Sequence, residues 1–119
     1  MTRVFITIDT EYSSGLVRSG SDDERADNFA RSIACQGNGD AIDNGGIPHQ
    51  LRVLQETGQS AVFFVDPMPA LLWGVAAIEE VVGPIIEAGQ DVQLHLHTEW
   101  LAFAGVNHPL ASGLTGRNL

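Results

Sequence analysis

Three short apolar segments of strand length constrain the fold of this chain more than any other feature. They are Val4 to Asp9, Ala61 to Val65 and Asp91 to His97. Their β-branched and aromatic residues, in almost continuous runs, are typical of strands in a buried parallel sheet. In the third segment His95 and His97 alternate with apolar residues and therefore share one face of the strand.

The stretches between these segments have the pattern of core-facing helices. The first, residues 48–58, begins with a proline and ends with a glycine, which suit a first helical turn and a left-handed cap. The second covers residues 76–88, and Gly83-Pro84 predicts a kink or a fresh helix start within it. A further short helix is predicted at residues 27–34, inside a polar, glycine-rich insertion at 13–46. This alternation predicts an α/β fold built on a parallel βαβαβ unit.

The composition predicts a single domain, residues 1–119, and limits its partners. Lys and Arg number 6 against 15 Asp and Glu, and the net charge of −9 would repel nucleic acids and anionic membrane surfaces. Every basic residue is arginine, which excludes a Schiff-base lysine and a P-loop lysine. Cys35 stands alone and cannot form an internal disulfide. With no secretory signal and no membrane-spanning run in the pattern, we expect a cytoplasmic protein.

The carboxyl ends of the three predicted strands carry Asp9, Glu11, Asp66, His95 and His97. Because ligands of parallel sheets bind at these ends, the side chains are expected to lie near one another. Carboxylates and imidazoles together suit a divalent cation, most of all Zn²⁺, with Co²⁺, Ni²⁺ or Mn²⁺ as alternatives. The sequence therefore predicts a metal site at this edge of the sheet.

Each of these motifs also has a common structural interpretation. A His-x-His pair on a strand is more often two surface histidines with ordinary hydrogen bonds. Asp9-Thr10-Glu11 could form a turn or a helix N-cap, and Asp66 before Pro67 fits a turn. Trp100 is interpreted as a hydrophobic anchor or as a wall for a sugar ring. The acidic residues 22–24 fit a solvated patch.

Three blocks of the sequence resemble a known family in their order and spacing. The blocks are Thr7-Ile8-Asp9-Thr10-Glu11, Ala61-Val62-Phe63-Phe64-Val65 and Glu87-Ala88-Gly89-Gln90-Asp91-Val92-Gln93-Leu94-His95. They are similar to the T-F-D-D-G motif, the "TFFV" strand and the stretch leading into the H-[ST]-x-x-H motif of the polysaccharide deacetylases, carbohydrate esterase family four. The resemblance runs from residue 4 to about residue 101, apart from the insertion.

The resemblance implies the first part of a distorted (β/α) barrel. The family's later motifs would lie beyond Leu119, and three strands cannot close a barrel. The chain is therefore expected to form an incomplete domain, completed by a second copy or by a missing C-terminal half.

The function implied by the resemblance is metal-dependent removal of N- or O-acetyl groups from a carbohydrate. Asp9 would act as the base, and Thr10 stands where the family has a second aspartate. The implied metal ligands are Glu11, His95 and Glu99, with His97 as the alternative to Glu99. Two other functions stay open: a non-catalytic relative that binds a metal or a glycan, and a generic α/β interaction module.

Overall fold

The computed structural model describes residues 2–35 and 45–106, which form a mixed α/β structure around one parallel sheet. The strands are β1 (Ile6–Thr10), β2 (Ala61–Val65) and β3 (Asp91–Leu94). The α-helices are α1 (Asp22–Asn28), α2 (Ile47–Thr57), α3 (Ala70–Trp73), α4 (Val75–Glu87) and α5 (Trp100–Phe103). A 3-10 turn covers Ser14–Leu16, and a π-helical turn at Phe29–Ile33 continues α1. The predicted α/β class with a parallel βαβαβ unit is confirmed.

The strands follow one another across the sheet in the order β1, β2, β3, and all are parallel. Ile8 pairs with Phe63, and Phe63 pairs with Val92. β2 has the predicted bounds, whereas β3 ends at Leu94, three residues before the predicted end. The N–H of His95 still donates to the carbonyl of Val65 at 3.1 Å, so the chain leaves β3 alongside β2.

One face of the sheet is buried by helices and the other is open. Ala61, Phe63 and Val65 of β2 are buried on the covered face, where α4 packs on the sheet through Val81 and Ile85. The alternate residues of the strands lie on the open face, including exposed Asp9 of β1. Consecutive strand order with right-handed crossovers places both connecting helices on the same face, which explains the asymmetry.

The two long helices have the predicted positions within one residue. α2 ends at Gly58, whose φ of 64° is the left-handed conformation that glycine adopts without strain. α4 runs continuously through Pro84, so the fresh helix start predicted at Gly83-Pro84 is not found. Of the helices within residues 2–35 and 45–106, none combines the length and apolar character needed to cross a bilayer.

The insertion contains more regular structure than its composition predicts. The predicted helix at 27–34 begins earlier, at Asp22, because the Ser21 hydroxyl accepts the backbone N–H of Glu24 and caps α1. The Glu24 carboxylate in turn accepts backbone N–H groups of residues 18–20, and these hydrogen bonds lower its pKa. Residues 22–24 therefore form the first turn of a capped helix, and Asp22 and Asp23 are exposed there, in agreement with the predicted solvated patch.

The two ends of the segment between α1 and α2 touch. A Cβ atom added to Gly46 would lie 2.2 Å from the carbonyl oxygen of Ala34, so only glycine fits there. Residues 36–44, which include most of the predicted glycine-rich loop, lie outside the described residues, as do residues 107–119.

Tyr12 joins the insertion to the main body of the protein. Its buried ring lies 6.2 Å from that of Phe29 in the insertion and 5.2 Å from that of Trp73, measured between centroids, and its hydroxyl donates to the carbonyl of Ala77 at 3.1 Å. Burial raises the pKa of Tyr12 to about 12, with Arg25 opposing the shift and the nearby Glu80 carboxylate adding to it.

We predict that alkaline pH destabilises the protein through Tyr12. An unfolded tyrosine loses its proton near pH 10, whereas folded Tyr12 keeps it until about pH 12. The free energy of unfolding should therefore fall between these values, by about 2–3 kcal/mol. Tyr12 is the only tyrosine, so the ultraviolet absorbance of phenolate follows this group alone. A midpoint near 10 in the folded protein would contradict the prediction, and Tyr12→Phe should remove the pH dependence in this range.

Candidate metal centre

The parallel sheet brings the ends of its three strands to one edge. Glu11 follows β1, Asp66 follows β2 and His95 follows β3. The N–H of Asp66 donates to the carbonyl of Thr10 at 3.2 Å, which continues the pairing of β1 with β2 beyond Val65. Residues distant in sequence therefore meet at this edge because the strands are parallel and in register.

Three side chains converge there on one point. Glu11 Oε2 lies 2.5 Å from Nε2 of His97 and 3.2 Å from Nε2 of His95. The two Nε2 atoms are 2.8 Å apart, and the rings meet edge to face. The structure thus joins Glu11, His95 and His97, three of the predicted site residues, in a group that could hold a metal ion.

Hydrogen bonds satisfy this group only in part. The Nε2 atoms of His95 and His97 are hydrogen-bonded to each other. Glu11 Oε2 is buried and has no hydrogen-bond partner among the described residues, although two imidazole nitrogens lie close to it. In a tetrahedral zinc site with bonds of about 2.1 Å, ligand atoms are about 3.4 Å apart. An outward movement of the three atoms would reach that spacing.

His97 is held in place by the turn that leads into α5. The N–H of Trp100 donates to the carbonyl of His97 at 3.4 Å, and the N–H of Leu101 donates to that of Thr98 at 3.1 Å. Trp100 follows as a fully buried anchor, 1 % exposed, with its ring 5.4 Å from that of Trp73 and 5.6 Å from that of Phe103. This burial argues against the predicted alternative in which Trp100 lines a sugar site, since the ring has no face available to a ligand.

Glu99 lies on the far side of the His97 ring. Its Oε1 is 3.3 Å from Nδ1 of His97, the nitrogen that does not face Glu11, and it also accepts a hydrogen bond of 3.3 Å from the Ser14 hydroxyl. Glu99 is not a member of the converging group, in which His97 takes the third position. Of the two alternatives for the third ligand, this arrangement favours His97.

Asp9 lies on the open face of β1, two residues before Glu11. It is exposed, in register with Phe64 of β2, and is not one of the three converging residues. Thr10, between the two acidic residues, is buried on the opposite side. The alternation of side chains along a strand predicts the same side of the sheet for Asp9 and for Glu11, which follows directly after β1.

Asp66 lies at this edge as predicted, but its burial and its contact with His97 were not revealed by the sequence. It is 1 % exposed, and its Oδ1 accepts the N–H groups of Met68 at 3.0 Å and His97 at 3.5 Å. Burial raises the pKa of Asp66, and the two N–H groups and the nearby His97 ring oppose that shift, whereas Glu11 adds to it. The Asp-Pro pair predicts a turn, and the hydrogen bond to Met68 closes one, but the contact with His97 has no signal in the local sequence.

Comparison with known proteins assigns no family to this chain. No protein-family model, no curated protein and no solved structure matches it. The resemblance to polysaccharide deacetylases therefore rests on the motifs quoted above and stays a prediction.

We predict that Trp100→Ala strongly destabilises the protein, because it removes a large ring from a closely packed aromatic cluster. The expected loss in the free energy of unfolding is about 3–5 kcal/mol, measured by denaturant titration. Val75→Ala is the control, since Val75 is 67 % exposed and its truncation should change the value by less than about 0.5 kcal/mol. Equal losses in the two variants would show that Trp100 is not a core anchor.

Proposed function

We propose that this protein is a metal-dependent hydrolase of the polysaccharide deacetylase type, which removes acetyl groups from a carbohydrate. The observation that carries the proposal is the convergence of Glu11, His95 and His97, which come from opposite ends of the described chain. Two of the three blocks of the family resemblance supply Glu11 and His95, and His97 follows two residues after the last block. Glu11 Oε2 is buried and lies close to both Nε2 atoms without a hydrogen bond to either, which supports a role as a metal ligand.

The donor set would suit Zn²⁺ and also Co²⁺, Ni²⁺ or Mn²⁺. One carboxylate oxygen and two imidazole nitrogens are three protein ligands, the number that catalytic zinc sites use while a position stays open for water or substrate. Glu11, His95 and His97 would hold the ion through Oε2 and the two Nε2 atoms. Glu11 and both histidines are only partly buried, so the site has access to solvent.

The proposed reaction is hydrolysis of an acetyl amide or ester. A bound divalent ion supplies a water of lowered pKa and polarises the acetyl carbonyl. Asp9 accepts a proton from the attacking water, whose oxygen bonds to the carbonyl carbon. As the bond between that carbon and the sugar nitrogen or oxygen breaks, the leaving atom takes up the proton that Asp9 accepted, which releases acetate and the free amine or hydroxyl. Asp9 suits this role because it lies on β1, two residues before Glu11, and is exposed to solvent.

We further propose that the open face of the sheet corresponds to the inner face of a (β/α) barrel. Parallel strands in consecutive order, covered by helices on one side only, support this architecture. Additional strands, from a second copy or from a longer form of the protein, would cover the open face and would complete a pocket for the carbohydrate.

A metal-binding protein without turnover is the second candidate. The converging group is complete without Asp9, so an ion could be held whether or not the base acts. Metal uptake and acetate release separate the candidates, and a protein that does neither would be an interaction module.

We predict that the purified protein, stripped with a chelator and dialysed, binds about one equivalent of Zn²⁺. His95→Ala should lose this binding, because two ligands cannot hold the ion at the same affinity. His49→Ala is the control, since His49 lies in α2 and outside the converging group. Isothermal titration calorimetry and metal analysis measure the outcome, and a parent protein that takes up no ion would exclude both metal-based functions.

We predict that Asp9→Asn lowers acetate release from N-acetylated oligosaccharides by about 10²–10⁴-fold, the usual contribution of a general base. Zinc binding should be unchanged, since Asp9 is not a ligand in this structure. Asp91→Asn is the control, because Asp91 is exposed at the opposite end of the sheet. An Asp9→Asn variant as active as the parent would exclude this residue as the base.

A further inference from the structure

We propose that Glu99 is a positioning residue: it fixes the orientation and tautomer of the His97 ring, and Ser14 holds Glu99 in place. The inference rests on the proposed metal site and departs from the role of metal ligand that the family resemblance implies for Glu99. It links the insertion, which contains Ser14, to the metal centre.

The first support is the position of His97 between two carboxylates. Nε2 of His97 faces Glu11, and Nδ1 faces Glu99 at 3.3 Å. A neutral imidazole carries its proton on only one nitrogen, so a ring that binds a metal through Nε2 must carry its proton on Nδ1. A carboxylate beside Nδ1 stabilises that tautomer, and such outer carboxylates also orient the ring.

The second support is that the His97 ring and the Glu99 carboxylate each have a buried polar atom without a hydrogen bond. Nδ1 of His97 and Oε2 of Glu99 are buried and have no hydrogen-bond partner among the described residues. Burial of an unpaired donor or acceptor is unfavourable, so a rearrangement that pairs these two atoms would be favoured. Hydrogen bonds in active sites are often long before ligand binding and shorten when the ligand arrives. A small rotation of the His97 ring would align Nδ1–H with the carboxylate 3.3 Å away.

The third support is the way in which Glu99 itself is held. The Ser14 hydroxyl donates to its Oε1 at 3.3 Å, and the backbone of Glu99 lies in the turn anchored by buried Trp100. The Glu99 side chain makes no capping hydrogen bond to α5. Replacement of Glu99 should therefore remove its contact with His97 without removing a cap from the helix.

Cobalt binding to variants of the full chain tests this role. Glu99→Ala should weaken Co²⁺ binding by about 10–100-fold, the usual effect of losing an outer partner of a metal-bound histidine. Glu99→Gln should stay close to the parent, because its amide oxygen can still accept a hydrogen bond from Nδ1. Ser14→Ala should have an intermediate effect, and Glu79→Ala, in an exposed part of α4, should have none.

Spectroscopy distinguishes positioning from ligation. The visible absorption spectrum of saturated Co²⁺ protein should keep its shape in Glu99→Ala and Glu99→Gln, because the ligand set is the same. In the zinc-loaded protein, NMR should detect a slowly exchanging Nδ1–H of His97 in the parent and in Glu99→Gln. The same proton should exchange faster with water in Glu99→Ala.

Two results would overturn the inference. A changed cobalt spectrum in Glu99→Gln would show that Glu99 is a ligand, and parent-like affinity in Glu99→Ala would show that it has no role; in either case the hydrolase proposal stands if acetate release persists. Conversely, cobalt binding that depends on Glu99 without any acetate release supports the inference and excludes the hydrolase. A parent protein that binds no cobalt overturns both.

Discussion

The parallel pairing of β2 with both of its neighbours is the constraint on which the rest of the structure depends. The main-chain hydrogen bonds do not stop where the strands end: Asp66 N–H donates to Thr10, and His95 N–H donates to Val65. These two bonds fix the point along the sheet at which the chain leaves β2 and β3. Glu11 directly follows Thr10, which accepts one of these bonds, and His95 donates the other. A slip of one residue in the strand pairing would therefore turn a ligand to the other face of the sheet.

The electrostatics of this edge follow from what the sheet brings together. Three carboxylates, those of Glu11, Asp66 and Glu99, surround the His97 ring or its backbone in a chain of net charge −9. Burial of the Asp66 carboxylate raises its pKa. The two backbone N–H groups that donate to it oppose this shift but do not cancel it. A divalent cation beside Glu11 would offset repulsion among these groups, which is consistent with the proposed metal site.

The sequence predicts the regular elements well where periodicity and local signals agree. β2 is a continuous apolar run of strand length, and α2 is bounded by Pro48 and Gly58, so both have the predicted positions. The start of α1 was missed although its signal was present, because Ser21 and Glu24 form a capping pattern that the acidic composition obscured. The early end of β3 had no such signal, since it is set by the turn at residues 97–100.

The sequence predicts only the part of the candidate site that follows from the order and alternation of the strands. That Glu11, His95 and His97 share one edge follows from the parallel sheet, which the sequence indicates. The different positions of Glu99 and His97 do not follow from it, because they depend on the turn that precedes Trp100, whose ring is buried against Trp73, 27 residues earlier in the chain. The contact of Asp66 with His97 likewise joins residues 31 positions apart through packing alone.

The close approach of Gly46 to Ala34 has a consequence for the start of α2. Gly46 is the N-cap of that helix, so its backbone sets where the helix begins. A side chain at this position would clash with the carbonyl groups of Ile33 and Ala34, and relief of the clash would move the first turn of α2 away from the end of the π-helical turn. Every substitution of this glycine should therefore disturb the junction of the two helical segments, whatever the polarity of the new side chain.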